Sequence, residues 1–344
     1  MITVRLHEIG EFGLIARLKE IVWRADPRVM VGIGDDAAVV TYERPVVMTT
    51  DALVQGVHFT SETMTPKLTG AKAAVATLSD LAAMGAVARH LLVTLALPPD
   101  TDVEEILAVY RGMADVCNMY DATLVGGDVV STGGPLVISV TATGELLDKP
   151  LLRSGAKPGD ILFVTGDLGG SAGFLHAFFA DRLAMLNPLD QSLLRERHQR
   201  PTPQFIAAQI LVEEGCTSLN DVSDGLASEA HEIAEASGAR LVIEAARVPI
   251  PPALRAYARL GRLDPLDFAL YGGEDYQLVG TVDVRSVGRV LARMQAAGVR
   301  FTVIGRVTDG APGVELLAQG VYQTLEKRGY NHFGAAFRGG KEIR

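Results

Sequence analysis

Six aspartates sit where an apolar run stops or a helix begins: Asp36, Asp51, Asp80, Asp128, Asp221 and Asp224. Their contexts are GIGDDAAVV, VVMTTDALV, ATLSDLAAMGA, VGGDVV and NDVSDGL, so each acid abuts a segment that must be buried. Taken singly they have ordinary explanations, Asp36 as a turn residue and Ser79, Asp80, Ser223 and Asp224 as helix N-caps. Taken together they pose an electrostatic problem. Two carboxylates about 5 Å apart at an effective dielectric of roughly 20 repel by about 3 kcal/mol, so several converging pairs require divalent cations. Carboxylate oxygens suit Mg2+, a hard ion that keeps several waters and bridges to nucleotide phosphates. The chain has no HExxH motif and no two-histidine cluster, so zinc chemistry has no support.

Residues 31–40, VGIGDDAAVV, also match the dinucleotide pattern G-x-G-x-x-A through Gly32, Gly34 and Ala37. A pyrophosphate loop needs a helix starting directly behind it. Here AAVVTYERPVVMTTD follows, with β-branched residues and Pro45, and predicts strand, turn and strand. Asp35 and Asp36 would also put negative charge beside the phosphates, which favours a loop that holds metal. A Walker A lysine motif and the protein-kinase HRD set are both missing from the sequence. A phosphoryl-transfer enzyme built on this chain would therefore position its nucleotide through metals and glycine loops. VGGD at 125–128 and GDLGGSAGF at 166–174 are two such loops, and in the second Ser171 is expected to cap a helix whose N-terminus favours an anion.

These residues need elements to carry them. The spacing predicts a helix over 11–23, helices in TPKLTGAKAAVATLSDLAAMGA and TDVEEILAVYRGMADVCNMYD (with Thr101 as the cap of the latter), and strands in HLLVTLALP, ATLVGGDVV and PLVISVTATGEL. Turn, strand, glycine loop and helix follow in RSGAKPGDILFVTGDLGGSAGFLHAFFA, and αβ segments continue to residue 307. Lys149, Pro150, Gly155, Pro158 and Gly159 mark a boundary near 148–158, dividing the chain into 1–148 and 149–344. With 344 residues, each half can bury a core. Apolar residues make up 48% and charged residues 21%, a globular profile, and the net charge of −9 excludes a general nucleic-acid binder. Cys117 and Cys216 show no C-x-x-C spacing and fit a reducing cytoplasm. Glu8, Glu11 and Glu20 interrupt the N-terminal apolar pattern, so a signal peptide is not expected, and no run approaches the roughly 18 apolar residues of a membrane span.

GIGDDAAVV, TTDALVQGVHF, LSDLAAMGA, GGD, RSGAKPGD, DVSDGL, GGEDYQL and GYNHF occur in the order that resembles the thiamine-monophosphate kinase family, within the wider aminoimidazole ribonucleotide synthetase superfamily. The resemblance implies an α/β (α+β) fold in two domains, an N-terminal dimerising half-barrel and a C-terminal α+β domain that completes the site. It implies Mg2+ ligation by Asp36, Thr49, Thr50, Asp51, Asp80, Asp128, Asp221 and Asp224, and ATP contacts from Tyr110, Gly127, Asp128, Arg153 and Ser223. It also implies contacts of His58, Glu274 and Tyr330 with thiamine monophosphate; without it the favoured readings are His58 as a satisfied strand histidine and Tyr330 as a packed tail residue. The implied reaction moves the ATP γ-phosphoryl group to the phosphate of thiamine monophosphate in a cytoplasmic homodimer, with no general base, because the acceptor is already ionised. Rival readings are another ATP-dependent synthetase of the superfamily and a non-catalytic nucleotide-binding dimer. The chain departs from the family pattern at Gln204, Thr77 and Ala88, none of them a metal ligand.

Overall fold

A computed structural model describes residues 4–330. It divides the chain into two compact units, Met1–Leu81 with Ala86–Leu146, and Ala82–Gly85 with Leu147–Arg344. Ala82 and Ala83 join the second unit because they pack into an apolar cluster with Leu151, Leu211 and Leu278. No helix among the described residues is long and apolar enough to cross a membrane.

The first unit runs α1 (Leu6–Val22), β1 (Val29–Val31), β2 (Val39–Val40), β3 (Val46–Val54), α2 (Pro66–Ala83), β4 (Ala86–Leu97), α3 (Val103–Met119), β5 (Thr123–Ser131) and β6 (Val137–Leu146). β1 and β2 form an antiparallel pair, and the other strands form a sheet ordered β3-β6-β4-β5 in which β4 and β5 are parallel. The glycine pattern at 32–37 leads into β2 and β3 and no helix, as its β-branched sequel predicts. α2 and α3 approach each other through glycine: a Cβ on Gly112 would lie 1.9 Å from the Lys67 carbonyl, and one on Gly70 1.8 Å from that of Val109. The cap of α3 is Asp102, which accepts from the Glu104 amide at 3.0 Å, while Thr101 instead donates its hydroxyl to the Pro98 carbonyl.

In the second unit come β7 (Ile161–Thr165), α4 (Gly170–Phe179), α5 (Pro188–Gln199), α6 (Phe205–Glu214), β8 (Cys216–Val222), α7 (Leu226–Ser237), β9 (Arg240–Glu244) and α8 (Pro252–Gly261). α9 (Pro265–Tyr271), β10 (Gln277–Val282), α10 (Val287–Ala296), β11 (Phe301–Thr308), β12 (Gly313–Ala318) and β13 (Val321–Thr324) complete it. Its sheet is ordered β13-β12-β9-β11-β7-β10-β8, antiparallel except between β12 and β9. Both faces are covered, which is why ILFV is continuously apolar. Leu162 and Val164 pack with Phe174, Leu226 and Tyr257 on one side, and Phe163 packs with Leu211, Met294 and Phe301 on the other.

Candidate functional site

The cap explanation fails for all four residues it was offered for. Ser79 and Asp80 lie deep inside α2, and α7 starts after Gly225 with no side-chain cap from Ser223 or Asp224. The acids therefore need another account.

In the first unit, β3 alternates, so Thr49 and Asp51 share the half-buried face while Thr50 is exposed on the other. Thr49 Oγ1 donates to Asp80 Oδ2 at 2.5 Å, joining β3 to α2. Thr50 Oγ1 donates to the Val140 carbonyl at 3.2 Å and accepts from Thr141 Oγ1 at 3.1 Å. Asp51, Val140, Val93 and Gly127 form one row across all four strands. Asp128, the next residue on β5, is exposed on the opposite face. Three strand spacings separate β3 from β5, about 14 Å at roughly 4.8 Å each, so Asp51 and Asp128 do not share one ion. Gly127 is required by packing alone, since a Cβ there would lie 1.9 Å from the Val93 carbonyl. Asp36 is exposed in the turn before β2, its amide bonded to Asp35 Oδ1 at 2.9 Å. His58, half-buried in the turn after β3, accepts the Val54 amide on Nδ1 at 2.9 Å, which leaves the neutral ring its proton on Nε2. Tyr110 is buried in α3, where burial raises its phenol pKa, so the tyrosine expected at the nucleotide is a core residue as it stands.

The second unit gathers its candidates more tightly. Asp221 is the last residue but one of β8, and Ser223 and Asp224 follow in the loop before α7. The Glu274 amide donates to the Ser223 carbonyl at 2.7 Å and the Tyr330 amide to the Asp224 carbonyl at 3.0 Å. Gly273 is glycine because a Cβ there would lie 2.2 Å from the Ser223 carbonyl. Arg153 reaches the same place, its Nε donating to Asn220 Oδ1 at 3.2 Å and its guanidinium 3.2 Å from Glu232. Of the GYNHF motif only Gly329 and Tyr330 are described; residues 331–333 lie outside the described residues.

Around this cluster stand residues that sequence reasoning passed over. Glu229 of α7 is buried, accepts the Asn220 amide group at 2.6 Å and the Asp224 backbone amide at 3.0 Å, and faces Asp221 and Glu232. Burial first, then the charges of Asp221 and Glu232, hold its carboxyl well above the usual range, so it tends to keep a proton. Ser171 does not cap α4. The N-cap is Gly169, and the group at that N-terminus is the protein's own Asp275 carboxyl, which accepts from the amides of Gly169 (2.6 Å) and Ser171. Among the described residues no three His, Cys, Asp or Glu side chains converge to hold a metal ion by themselves. The departures from the family pattern are quiet: Thr77 bonds the Ala73 carbonyl inside α2, Ala88 is buried in β4, and Gln204 turns back on Thr202.

Family models for the AIR synthase related protein match the chain twice, its N-terminal domain over residues 34–146 and its C-terminal domain over 157–316. The chain is 39% identical over 309 residues to thiamine-monophosphate kinase of Bacillus subtilis, covering 88% of this chain and 93% of the relative. The chain belongs to the thiamine-monophosphate kinase family. The crystal structure of the Stenotrophomonas maltophilia thiamine-monophosphate kinase superposes with a TM-score of 0.80 at 35% identity, over 91% of this chain and 98% of that one. A structure described as AaThiL complexed with AMPPCP and TMP superposes with a TM-score of 0.75 at 32% identity, over 97% of this chain and all of the other. The family's two-domain α/β architecture is the one described above, with an N-terminal and a C-terminal domain of the AIR synthase type.

Proposed function

We propose that this protein is an ATP-dependent phosphotransferase that converts thiamine monophosphate to thiamine diphosphate. One observation carries most of the weight. Backbone hydrogen bonds tie Glu274 to Ser223 and Tyr330 to Asp224, so the segments expected to meet thiamine are fastened to those expected to meet the nucleotide. The relative complexed with AMPPCP, an ATP analogue, and TMP supports the same pair of substrates.

An oxygen of the acceptor phosphate attacks the γ-phosphorus of ATP; the new P–O bond forms, the bond to the β,γ-bridging oxygen breaks, and ADP leaves. The acceptor is ionised at neutral pH, so no base is needed and positioning dominates. Arg153, Ser223, Gly127 and Asp128 are assigned to ATP, with Tyr110 reaching it only if its core position changes. His58, Glu274 and Tyr330 are assigned to the thiamine end. The donor set fits Mg2+: it offers oxygens only, and the acids of the second unit crowd together, burial and then the charges of Asp221 and Glu232 raising the Glu229 carboxyl pKa. Asp36, Thr49, Thr50, Asp51, Asp80, Asp128, Asp221 and Asp224 would hold the ions. Bound there, Mg2+ would supply charge neutralisation between two anionic substrates.

The chain works as a homodimer, paired through the open face of the N-terminal sheet. Its two free thiols, whose pKa burial pushes up to about 12, fit a reducing cytoplasm. Purified protein given Mg-ATP is expected to release ADP only when thiamine monophosphate is added, with thiamine diphosphate appearing on chromatography and unphosphorylated thiamine a poor acceptor. Equal turnover of thiamine, or ADP release indifferent to the monophosphate, would overturn the reading.

A further inference from the structure

Glu274 has a left-handed backbone, φ 65°, and so has Tyr276, φ 49°. Non-glycine residues hold such angles when their surroundings fix them. Asp275 between them is clamped by the Gly169 and Ser171 amides, and the Glu274 and Tyr276 amides donate to the Ser223 and Val222 carbonyls. The Glu274 side chain is fixed as well. Ser171 Oγ donates to Glu274 Oε2 at 3.3 Å and lies 2.9 Å from His198 Nδ1, which is itself 3.3 Å from Glu274 Oε2. With the hydroxyl proton turned to the carboxylate, His198 carries its proton on Nδ1 and donates it to the hydroxyl. Ser171 and His198 are fully buried, and the imidazole lies against the Phe174 ring at 5.2 Å. The Glu274 side chain keeps 24% of its surface exposed. Two buried donors thus grip an acid that still faces outward.

We infer that Ser171 and His198 are positioning residues for the thiamine end of the site, holding the Glu274 carboxylate in the orientation that meets the substrate. This rests on the assignment of Glu274 to thiamine made above. The thiazolium ring of thiamine is cationic, and a carboxylate already locked in one rotamer loses little side-chain freedom when it meets that charge. Ser171 and His198 are fully buried and act through Glu274, so their effect belongs to affinity for thiamine monophosphate and leaves ATP binding alone.

Steady-state kinetics test this. Ser171→Ala and His198→Phe are expected to raise KM for thiamine monophosphate about tenfold, the loss of one hydrogen bond to a charged group, with KM for ATP unchanged. His198→Asn, which returns an N–H near the place of Nδ1, should recover most of that loss; it decides the matter with His198→Phe should Ser171→Ala fail to fold. In a Glu274→Ala background, Ser171→Ala should add nothing. If Glu274→Ala leaves KM for thiamine monophosphate unchanged, the assignment of Glu274 falls and this inference with it. If Glu274→Ala raises that KM while the Ser171 or His198 variants do not, or while they act independently of it, the positioning role alone is overturned.

Discussion

Asp224 shows how charge and fold meet in one side chain. Its backbone amide is bonded to Glu229 Oε1 and its carbonyl accepts the Tyr330 amide, so its place in the fold depends on its backbone. The carboxylate adds to the repulsion that raises the Glu229 pKa. Asp224→Asn keeps the backbone bonds and removes that charge. The variant is therefore expected to fold with undiminished stability and to lose about a hundredfold or more in activity, as when a charge-stabilising group is removed from a transition state. Asp36→Asn, in an exposed turn, is expected to behave alike. Thermal melts beside initial rates across a magnesium titration separate this from a turn or cap role, in which activity would persist and stability fall by about 1 kcal/mol or less. Aspartates beside apolar runs were legible because a carboxylate against buried sequence demands a reason. Glu229 and His198 were not, because SEAHEIAEA and LRERHQR look like solvated helix faces, and only packing in the second unit buries those two side chains.

α4 illustrates the same limit at the level of an element. The sequence ILFVTGDLGGSAGF announces strand, loop and a helix N-terminus that favours an anion, and the structure contains strand, loop and helix there. The sequence does not say that the place is taken by a carboxyl of the chain itself, since Asp275 arrives from beyond residue 270. Burial pushes the Asp275 carboxyl up to about 7 from the ordinary 3.8, although the Gly169 and Ser171 amides and Arg197 pull it back. The folded chain therefore holds this proton more tightly than the unfolded chain does. The resulting stability is complete below about pH 4 and is lost as pH rises through 7. Asp275→Asn removes the titration while keeping the shape. Melting temperatures measured from pH 5 to 8 are expected to fall more steeply for the wild type than for the variant. Parallel curves would show that Asp275 does not bind a proton in the folded state.

The N-terminal sheet sets the scale of the whole molecule. Strand register lines up Val54, Val137, Ala96 and Val130 on one face, then Ala52, Ser139, Thr94 and Asp128, then Thr50, Thr141, Leu92 and Gly126. Met48 extends it and is 70% exposed, with Leu92 and Val130 more than 40% exposed. These rows are short or apolar, with Asp128 their single charge. Lys and Arg, which usually keep a sheet face in water, do not occur in them. A second sheet can lie against such a face at the roughly 10 Å spacing of stacked sheets, and a two-fold pair closes with the same patch on both copies. The net charge of −9 does not oppose this, because charge elsewhere is screened within about 10 Å at 0.1 M salt. Light scattering at micromolar concentration is expected to give twice the chain mass for the wild type. Met48→Glu with Val130→Glu places like charges on both copies of the face, so this variant is expected to scatter as a monomer with its unfolding transition retained. A wild-type monomer, or a dimer indifferent to both substitutions, would mean that this face is not where two copies meet.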